Sequence, residues 1–289
     1  MIEAGRAGVS FEYHRPTSWE QAIQLVGEPG AIAKMGGCDV MTRYRRGELR
    51  ARLVVGLNNI PGVTDLTNTP EGVRIGPAVT LRQLEGDAGF RNRWPIIADV
   101  VGSIASPAIR NSATVIGNIA QGWSVSDIVP LFAICDAELR VLGPSEKRGL
   151  TITEYANSSG TKALRNGELI TALHLPTFGT DFRIAYERFS FRNAFDLPLV
   201  SVAIGASIRS GIFENVRIAA VGGSRMPSRC PQVEAVMQGR GNDENTWDKA
   251  AAAILQWADP ISDFRASADY RRHLLTVMFR RALLKLVLQ

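Results

Sequence analysis

The 289-residue sequence predicts an α+β protein with two strand-rich parts that join near residue 177. Three features indicate this class. Short apolar segments alternate with amphipathic helical patterns along the first 177 residues. Pro176 ends one such segment and precedes the linker-like stretch TFGTD. Beyond that stretch, strand-like segments come first and helical patterns follow, which is typical of an α+β domain.

The elements predicted for the first sixty residues are, in order, a strand over 11–15, a helix over 17–27, a strand over 31–35, a helix from Asp39 and a strand over 52–57. In the first strand, Phe11 and Tyr13 alternate with polar residues. Thr17 and Glu20 match the T-x-x-E capping box that starts a helix. The third element runs directly into a pair of glycines, which predicts a tight strand-to-helix turn.

The elements predicted from there to Pro176 are strands over 73–75, 138–142 and 168–175, a short helix capped by Thr80 and Gln83, and helices over 94–105 and 126–135. The helix over 94–105 is apolar on most faces, so we expect it to be buried. The stretch SPAIRNSATVIGN that follows predicts a loop, since Pro107 and Gly117 interrupt regular structure.

The elements predicted after the linker are strands over 183–189, 199–208 and 216–221 and helices over 246–257 and 269–288. In the last helix Leu275, Met278, Ala282 and Leu286 share one face. That spacing predicts a helix packed on the sheet by this face.

Composition excludes several classes of protein. Hydrophobic residues make up 45% of the chain and charged residues 21%, which is ordinary for a globular protein. No run of eighteen apolar residues is present, and the N-terminus lacks the pattern of a secretory signal, so we expect a cytoplasmic protein. Cys38, Cys135 and Cys230 lie far apart, without the spacing of a zinc or iron–sulfur site. The signatures GxSxG, HExxH and P-loop lysine are absent, so neither a hydrolase nor a kinase is indicated.

The densest basic segment is RYRRGELRAR, over 43–52, in a chain of net charge +5. Basic runs can bind nucleic acid, but no nucleic-acid fold signature accompanies this one. A solvated helix end or an edge that faces a partner is the favoured interpretation.

Two glycine-containing loops are candidate ligand sites. In the first, over 33–40, Gly36 and Gly37 allow the backbone to approach a ligand and present N–H groups to phosphate oxygens. In the second, over 114–118, Thr and Asn side chains can donate hydrogen bonds to phosphate, and Asp127 farther on can accept from a sugar hydroxyl. Each loop also has a purely structural interpretation, as a steric turn or as a helix cap.

The order of motifs resembles one family. KMGGCDV, RIGPAVTLRQL, IRNSATVIGNIAQGWSVSDIVP and ELITALHLP are similar to the flavin-carrying medium subunits of molybdenum hydroxylases of the xanthine dehydrogenase and carbon monoxide dehydrogenase type. Their loops typically read AGGTDL and then QIRNxGTIGGNI. The later segment DFRASADYRRHLLTVMFRRAL resembles the C-terminal signature of the same subunits. The resemblance covers about residues 11 to 286.

This resemblance implies an FAD-binding domain of the vanillyl-alcohol-oxidase (PCMH) type over 1–177, divided roughly into 1–60 and 61–177, and a smaller α+β domain over 178–289. FAD would lie between the two parts of the first domain. Asp127 would hold a hydroxyl, Ile104 and Ile170 would flank the flavin, and Arg188 takes the place of a lysine near the isoalloxazine; a surface or partner contact is the other interpretation of Arg188. The cofactor-binding positions implied are Ala33, Lys34, Met35, Gly36, Gly37, Cys38, Asp39, Val40, Ile104, Thr114, Val115, Ile116, Gly117, Asn118, Asp127, Ile170 and Arg188.

The implied activity is electron transfer in a heterotrimeric oxidoreductase. Partner chains would carry molybdopterin and two [2Fe–2S] clusters, this chain would carry FAD, and two heterotrimers would pair. No side chain here is implied to act as a catalytic acid or base, and no metal is implied in this chain.

Two alternatives remain open. Ile116 stands where the family has the first glycine of GGN, and a branched residue disfavours positive φ and would crowd a phosphate. A structural subunit of the same complex with lost or weakened FAD binding is therefore one alternative. A stand-alone flavin oxidase of the same fold is the other.

Overall fold

The computed structural model describes residues 11–122, 124–158, 163–192, 196–224 and 226–289. Within these residues the chain forms three β-sheets, each covered by helices. The three sheets follow one another along the chain. In the second sheet, the strand that comes last in the sequence lies at the centre of the sheet.

The first sheet is parallel, with β1 (Glu12–His14), β3 (Leu53–Gly56) and β2 (Ala31–Lys34) in the order β1-β3-β2. The helices of this part are α1 (Trp19–Val26) and α2 (Cys38–Arg45). In α1, Ala22 and Ile23 are buried and face the buried central strand. Parallel strands need crossover connections, and α1 and α2 provide them. The carboxyl ends of β2 and β3 therefore lie side by side.

The second sheet is antiparallel, with the order β4-β5-β8-β6-β7. Its strands are β4 (Leu66–Thr69), β5 (Gly72–Ile75), β6 (Glu138–Leu142), β7 (Lys147–Thr151) and β8 (Leu169–Pro176). The helices of this part are α3 (Leu81–Gly86), α4 (Ala88–Arg93), α5 (Pro95–Ser103), α6 (Pro107–Arg110), α7 (Val115–Ala120), α8 (Ile128–Ile134) and α9 (Ile152–Asn157). Their apolar faces form the largest core of the molecule.

The third sheet is antiparallel, with the order β12-β11-β10-β9. Its strands are β9 (Phe182–Phe189), β10 (Val200–Arg209), β11 (Ile212–Val221) and β12 (Ser228–Arg229), and its helices are α10 (Pro231–Met237), α11 (Glu244–Trp257) and α12 (Ala268–Leu288). The predicted face of the last helix, with Leu275, Met278, Ala282 and Leu286, is fully buried against this sheet. That prediction is confirmed.

Most predicted elements are present with ends that shift by one to three residues. The capping box of Thr80 and Gln83 is confirmed, since each side chain bonds the other residue's backbone N–H. The capping box at Thr17 is wrong. The cap of α1 is Ser18, whose Oγ accepts from the N–H of Gln21, so the cap lies one residue later than predicted.

The loop predicted around Gly117 is also wrong, because 107–110 and 115–120 are both helical. Thr114 caps the second of these helices by accepting from the N–H of Gly117, and Val115, Ile116 and Ile119 bury its apolar side. Burial of that side compensates for the weak helix propensity of glycine. Helix α2 begins at Cys38 rather than at Asp39.

Candidate cofactor cleft

A cleft with a volume of about 470 Å³ opens between the first and second sheets. This size lies within the range usual for small-molecule sites. The residues that line it are Tyr13, Arg15, Lys34, Met35, Gly36, Gly56, Asn58, Asn59, Thr80, Asn111, Ser112 and Thr114. They come from the ends of β1, β2 and β3 on one side and from the turns before α3 and α7 on the other.

The two predicted loops meet in this cleft. Gly36 lies so close to the turn before α7 that an added Cβ would overlap the backbone carbonyl of Ser112. The next residue, Gly37, has φ +76°, a conformation that residues with a side chain rarely adopt. Both glycines are therefore needed for sterics. The structure thus confirms the steric interpretation of this turn, and the ligand interpretation stays a prediction, with Gly36 in the lining of the cleft.

Backbone donors at this end of the cleft have no acceptor within the part of the chain that the structure describes. Among the described residues, the N–H groups of Gly36 and Gly37 form no hydrogen bond. Gly37 is the cap of the eight-residue helix α2 and offers no capping side chain. Free N–H groups at a helix N-terminus, together with the helix dipole, favour an anion. A phosphate group matches this end of the cleft.

The charge of the cleft is positive. The guanidinium of Arg15 lies 5.4 Å from the ring centroid of Tyr13, and the ammonium of Lys34 lies 5.8 Å from it. The Nζ of Lys34 also donates to the carbonyl of Met35 at 3.2 Å. None of the described residues that line the cleft is acidic. Two cations without a competing carboxylate suit a ligand with two negative charges.

Among the implied positions, Lys34, Met35, Gly36 and Thr114 line the cleft, and Gly37 follows directly. The remaining members of the first loop stand beside it. Ala33 packs into the core of the first sheet. Cys38 begins α2, and burial raises the pKa of its thiol. Asp39 pairs with Arg43 at 3.6 Å, and Val40 is half-buried.

Ile116 does not enter the cleft. Its side chain is 4% exposed and belongs to the core of the second part, beside Val115. It lies in α7, and its φ is not positive. Its side chain is therefore not among those that line the cleft, and its effect on FAD binding stays a prediction. Gly117 and Asn118 are also held within the chain, since Gly117 donates to Thr114 Oγ1 at 3.0 Å and Asn118 Oδ1 accepts from Ser126 Oγ at 3.0 Å.

A second group of implied positions meets between the second and third sheets. Asp127 precedes α8 and is 6% exposed. Its Oδ1 accepts from the hydroxyl of Tyr186 at 2.6 Å, and its Oδ2 pairs with Arg188 Nη1 at 3.1 Å. Burial raises the pKa of Asp127, while Arg188 and Tyr186 act in the opposite direction. Burial and the charge of Asp127 raise the pKa of Tyr186.

Arg188 thus joins two parts of the chain instead of standing free. Its Nη2 donates to Ser190 Oγ at 3.2 Å and to the carbonyl of Asp196 at 3.0 Å. The two isoleucines implied beside the flavin are core residues. Ile104 follows α5 and is half-buried against the core of the second part, and Ile170 is 7% exposed on β8.

Several functional candidates were missed by sequence reasoning. The largest set lines the cleft and consists of Tyr13, Arg15, Gly56, Asn58, Asn59, Thr80, Asn111 and Ser112. Tyr186 was missed as well. One signal could have found Asn58 and Asn59, which follow directly after a buried parallel strand, where ligands commonly bind. The buried side chain of Tyr186 reads as an ordinary core residue in the sequence.

Among the described residues, no group of three or more His, Cys, Asp or Glu side chains could hold a metal ion. Within the same residues, no helix is long and apolar enough to span a bilayer.

Comparisons with known proteins place two family domains on the chain. Residues 9–178 match the family model described as FAD binding domain in molybdopterin dehydrogenase. Residues 184–286 match the CO dehydrogenase flavoprotein C-terminal domain.

Individual relatives align over almost their whole length. The chain is 29% identical over 274 residues to a xanthine dehydrogenase FAD-binding subunit of Escherichia coli O157:H7, with 94% of both chains covered. It is 28% identical to the carbon monoxide dehydrogenase medium chain of Afipia carboxidovorans, with 94% of this chain and 95% of the relative covered. Among solved structures, reconstituted CO dehydrogenase from Oligotropha carboxidovorans superimposes with a TM-score of 0.90 at 27% identity, covering 96% of this chain and 97% of that one.

Proposed function

Because the chain belongs to the family of FAD-binding domains in molybdopterin dehydrogenases, we propose that it holds FAD in the cleft between its first two sheets and serves electron transfer there. It is an oxidoreductase subunit of the medium-chain type. Electrons would come from [2Fe–2S] clusters on a small partner subunit and leave to an external acceptor. A large molybdopterin-binding subunit would oxidise the substrate, and two such heterotrimers would pair.

The free N–H groups of Gly36 and Gly37 beside Lys34 and Arg15 carry this proposal. A dinucleotide such as FAD contains a diphosphate, and these groups supply both the hydrogen bonds and the charge that it needs. The amide and hydroxyl side chains along the rest of the cleft suit the polar portions of the cofactor. Bound flavin supplies the ability to accept electrons from one donor and deliver them to another. The protein's own groups bind it and fix its position.

A direct test is an FAD titration of the purified full chain, followed by flavin absorbance and by quenching of flavin fluorescence. We expect a yellow protein that releases FAD on heating. Lys34→Gln removes one charge-assisted contact, so we expect the dissociation constant for FAD to rise about 10-fold or more. Arg74→Gln is the matched control, since Arg74 is exposed on β5 outside the lining of the cleft. A chain that stays colourless in excess FAD would refute the proposal and support the structural-subunit alternative.

The electron route needs the whole complex. Xanthine and carbon monoxide are the first substrates to test, because relatives act in dehydrogenases named for them. In a complex depleted of FAD, we expect substrate still to reduce the iron–sulfur clusters, detected by electron paramagnetic resonance, while reduction of a soluble dye is lost. Full dye reduction without FAD would contradict the proposed route.

We further propose that the two domains meet at residues 177 and 178. The end of β8 at Pro176 and the start of β9 at Phe182 support this boundary. Limited proteolysis tests it, with cleavage between these two strands as the expected result. Preferential cleavage inside either sheet would move the boundary.

A further inference from the structure

Helix α2 lacks the packing that a short helix needs. None of its eight residues is buried. Isolated helices shorter than about 12 residues are marginal in water, so most helices gain their stability from an apolar face packed on the protein. Among the described residues, α2 has a single ring contact, the edge-to-face pair of Tyr44 with Phe11, whose centroids are 4.9 Å apart. Within the described residues, no other element covers the outer side of α2.

Bound FAD would leave the second half of this helix uncovered as well. No residue from 38 to 52 lines the cleft, which involves only the turn before α2. A flavin cofactor can therefore stabilise the N-terminus of α2 but not its second half. The second half and the turn after it form one continuous surface, the arginine edge, which we define as residues 43–52.

The arginine edge carries much of the charge of the molecule. Residues 39–52 contain five arginines and two carboxylates, so they account for three of the five net positive charges of the chain. Arg43 pairs with Asp39 at 3.6 Å and Arg46 with Glu48 at 3.9 Å. The guanidinium is exposed in both pairs and the distances are long, so these pairs contribute little and are screened by salt. Arg52, at the end of the edge, pairs with Glu28 and, at 3.9 Å, with Glu12. The positive charge that remains without a partner among the described residues is therefore that of Arg45 and Arg50.

Two arginines of the edge have no counter-charge in the described ranges of the chain. Arg45 and Arg50 are exposed, and within the described residues neither has a carboxylate within ion-pair distance. The guanidinium group is weakly hydrated and binds carboxylates in a bidentate manner, so it is well suited to a protein interface. The edge offers little to nucleobases, because its one aromatic ring, that of Tyr44, is half-buried against Phe11.

We propose that the arginine edge docks an acidic face of another subunit of the same complex. This inference rests on the proposed function, which places the chain among partner subunits. Charge complementarity selects the partner surface, since aspartates and glutamates opposite Arg45 and Arg50 would supply the missing counter-charges. Docking also supplies the packing that the outer side of α2 lacks.

The test uses the full complex, purified through a tag on this chain from its native host. Molybdenum, iron and FAD are measured per chain, and the mass of the assembly is determined. We expect Arg45→Glu with Arg50→Glu to lower the co-purified molybdenum and iron about tenfold or more at moderate salt, while FAD content and melting temperature stay at the wild-type values. Arg45→Lys with Arg50→Lys keeps the charge and should retain most of the partner chains.

Arg74→Glu with Arg281→Glu is the matched control, because both arginines are exposed, have no ion pair among the described residues and give the same change in net charge. Unchanged molybdenum and iron in the first double variant would overturn the inference. So would equal loss in the control, which would indicate an unspecific charge effect. If wild type binds a duplex oligonucleotide, and Arg45→Glu with Arg50→Glu abolishes that binding but keeps the partner chains, the edge binds nucleic acid and the inference is refuted. If the wild-type chain binds FAD but co-purifies with neither molybdenum nor iron, the inference and the proposed partner subunits are both refuted. If the wild-type chain lacks FAD, only the proposed cofactor is refuted.

Discussion

The buried ion pair of Asp127 and Arg188 gives the sharpest test of the structure. Replacing Arg188 with Met keeps an unbranched side chain and removes the charged end of the guanidinium. Asp127 is 6% exposed and would then be a buried carboxylate with only the hydroxyl of Tyr186 as a partner. Breaking a buried pair by removing one partner costs about 3–5 kcal/mol. Since the side chain of Arg188 is 18% exposed, we expect the low end, about 3 kcal/mol.

The pH dependence follows from the sign of the pKa shift. Burial already raises the pKa of Asp127 above its ordinary value, and loss of Arg188 removes the main opposing charge. The folded variant therefore binds a proton more tightly than the unfolded chain does. Its stability rises as the pH falls from the raised folded pKa toward the unfolded value. We expect the stability difference between wild type and Arg188→Met to narrow between pH 7 and pH 5.

The assay is urea denaturation followed by circular dichroism at several pH values. Arg91→Met is the matched control, because Arg91 pairs with Asp99 at 2.7 Å on the surface, where such a pair contributes about 0–1 kcal/mol. Equal losses for the two variants at pH 7 would refute the assignment of a buried pair. If the stability difference between wild type and Arg188→Met widens as the pH falls, the pKa of Asp127 in the variant is not raised as expected.

Three further predictions concern the cleft, a helix cap and the loop before α12. Gly36→Ala should raise the dissociation constant for FAD about tenfold or more in a fluorescence titration, because its Cβ overlaps the carbonyl of Ser112 and must widen the turn. Thr80→Ala should lower the free energy of unfolding by about 1 kcal/mol in urea, since it removes the cap of α3. Partial burial tends to raise the pKa of Asp263, but hydrogen bonds from two backbone N–H groups and from Arg271 outweigh it and lower the pKa to about 2. Because its pKa is lower in the folded than in the unfolded chain, ionised Asp263 stabilises the fold at pH values above the unfolded pKa. Asp263→Asn should therefore lower the free energy of unfolding by about 2 kcal/mol at pH 7, and this loss should shrink as the pH falls from 4 toward 2.

Each of these variants has a control of the same chemistry. Gly86→Ala adds a Cβ that meets nothing within 4 Å, so FAD binding should not change. Thr64→Ala changes an exposed turn residue and should stay within about 0.5 kcal/mol of wild type. Asp269→Asn changes a side chain that is 94% exposed and should not alter the acid dependence. If a control variant shows the same change in FAD affinity, stability or acid dependence as its test variant, the structural reason given for the test variant is wrong.

Sequence patterns predicted those elements whose stabilising contacts lie within a few residues of one another. The reciprocal bonds of Thr80 and Gln83 span three residues, and the buried face of α12 repeats within one or two turns. Strand β6 (Glu138–Leu142) was predicted with the observed ends. The elements that were missed are short or polar. Strand β4 reads LTNT, and it is a strand because it pairs with β5, not because of its own pattern.

The order of motifs along the sequence was enough to indicate the family, the FAD-binding role and the first loop of the cleft. The assignment of each implied site residue stays a prediction. Only the tertiary structure decided that Tyr13, Arg15 and Asn58 line the cleft, and that Asp127 meets Tyr186 across 59 positions of sequence. The physical reason is the separation along the sequence of the residues that interact. Caps and amphipathic faces depend on neighbours within a few residues, whereas the distance between remote side chains depends on strand order and on how the sheets pack together.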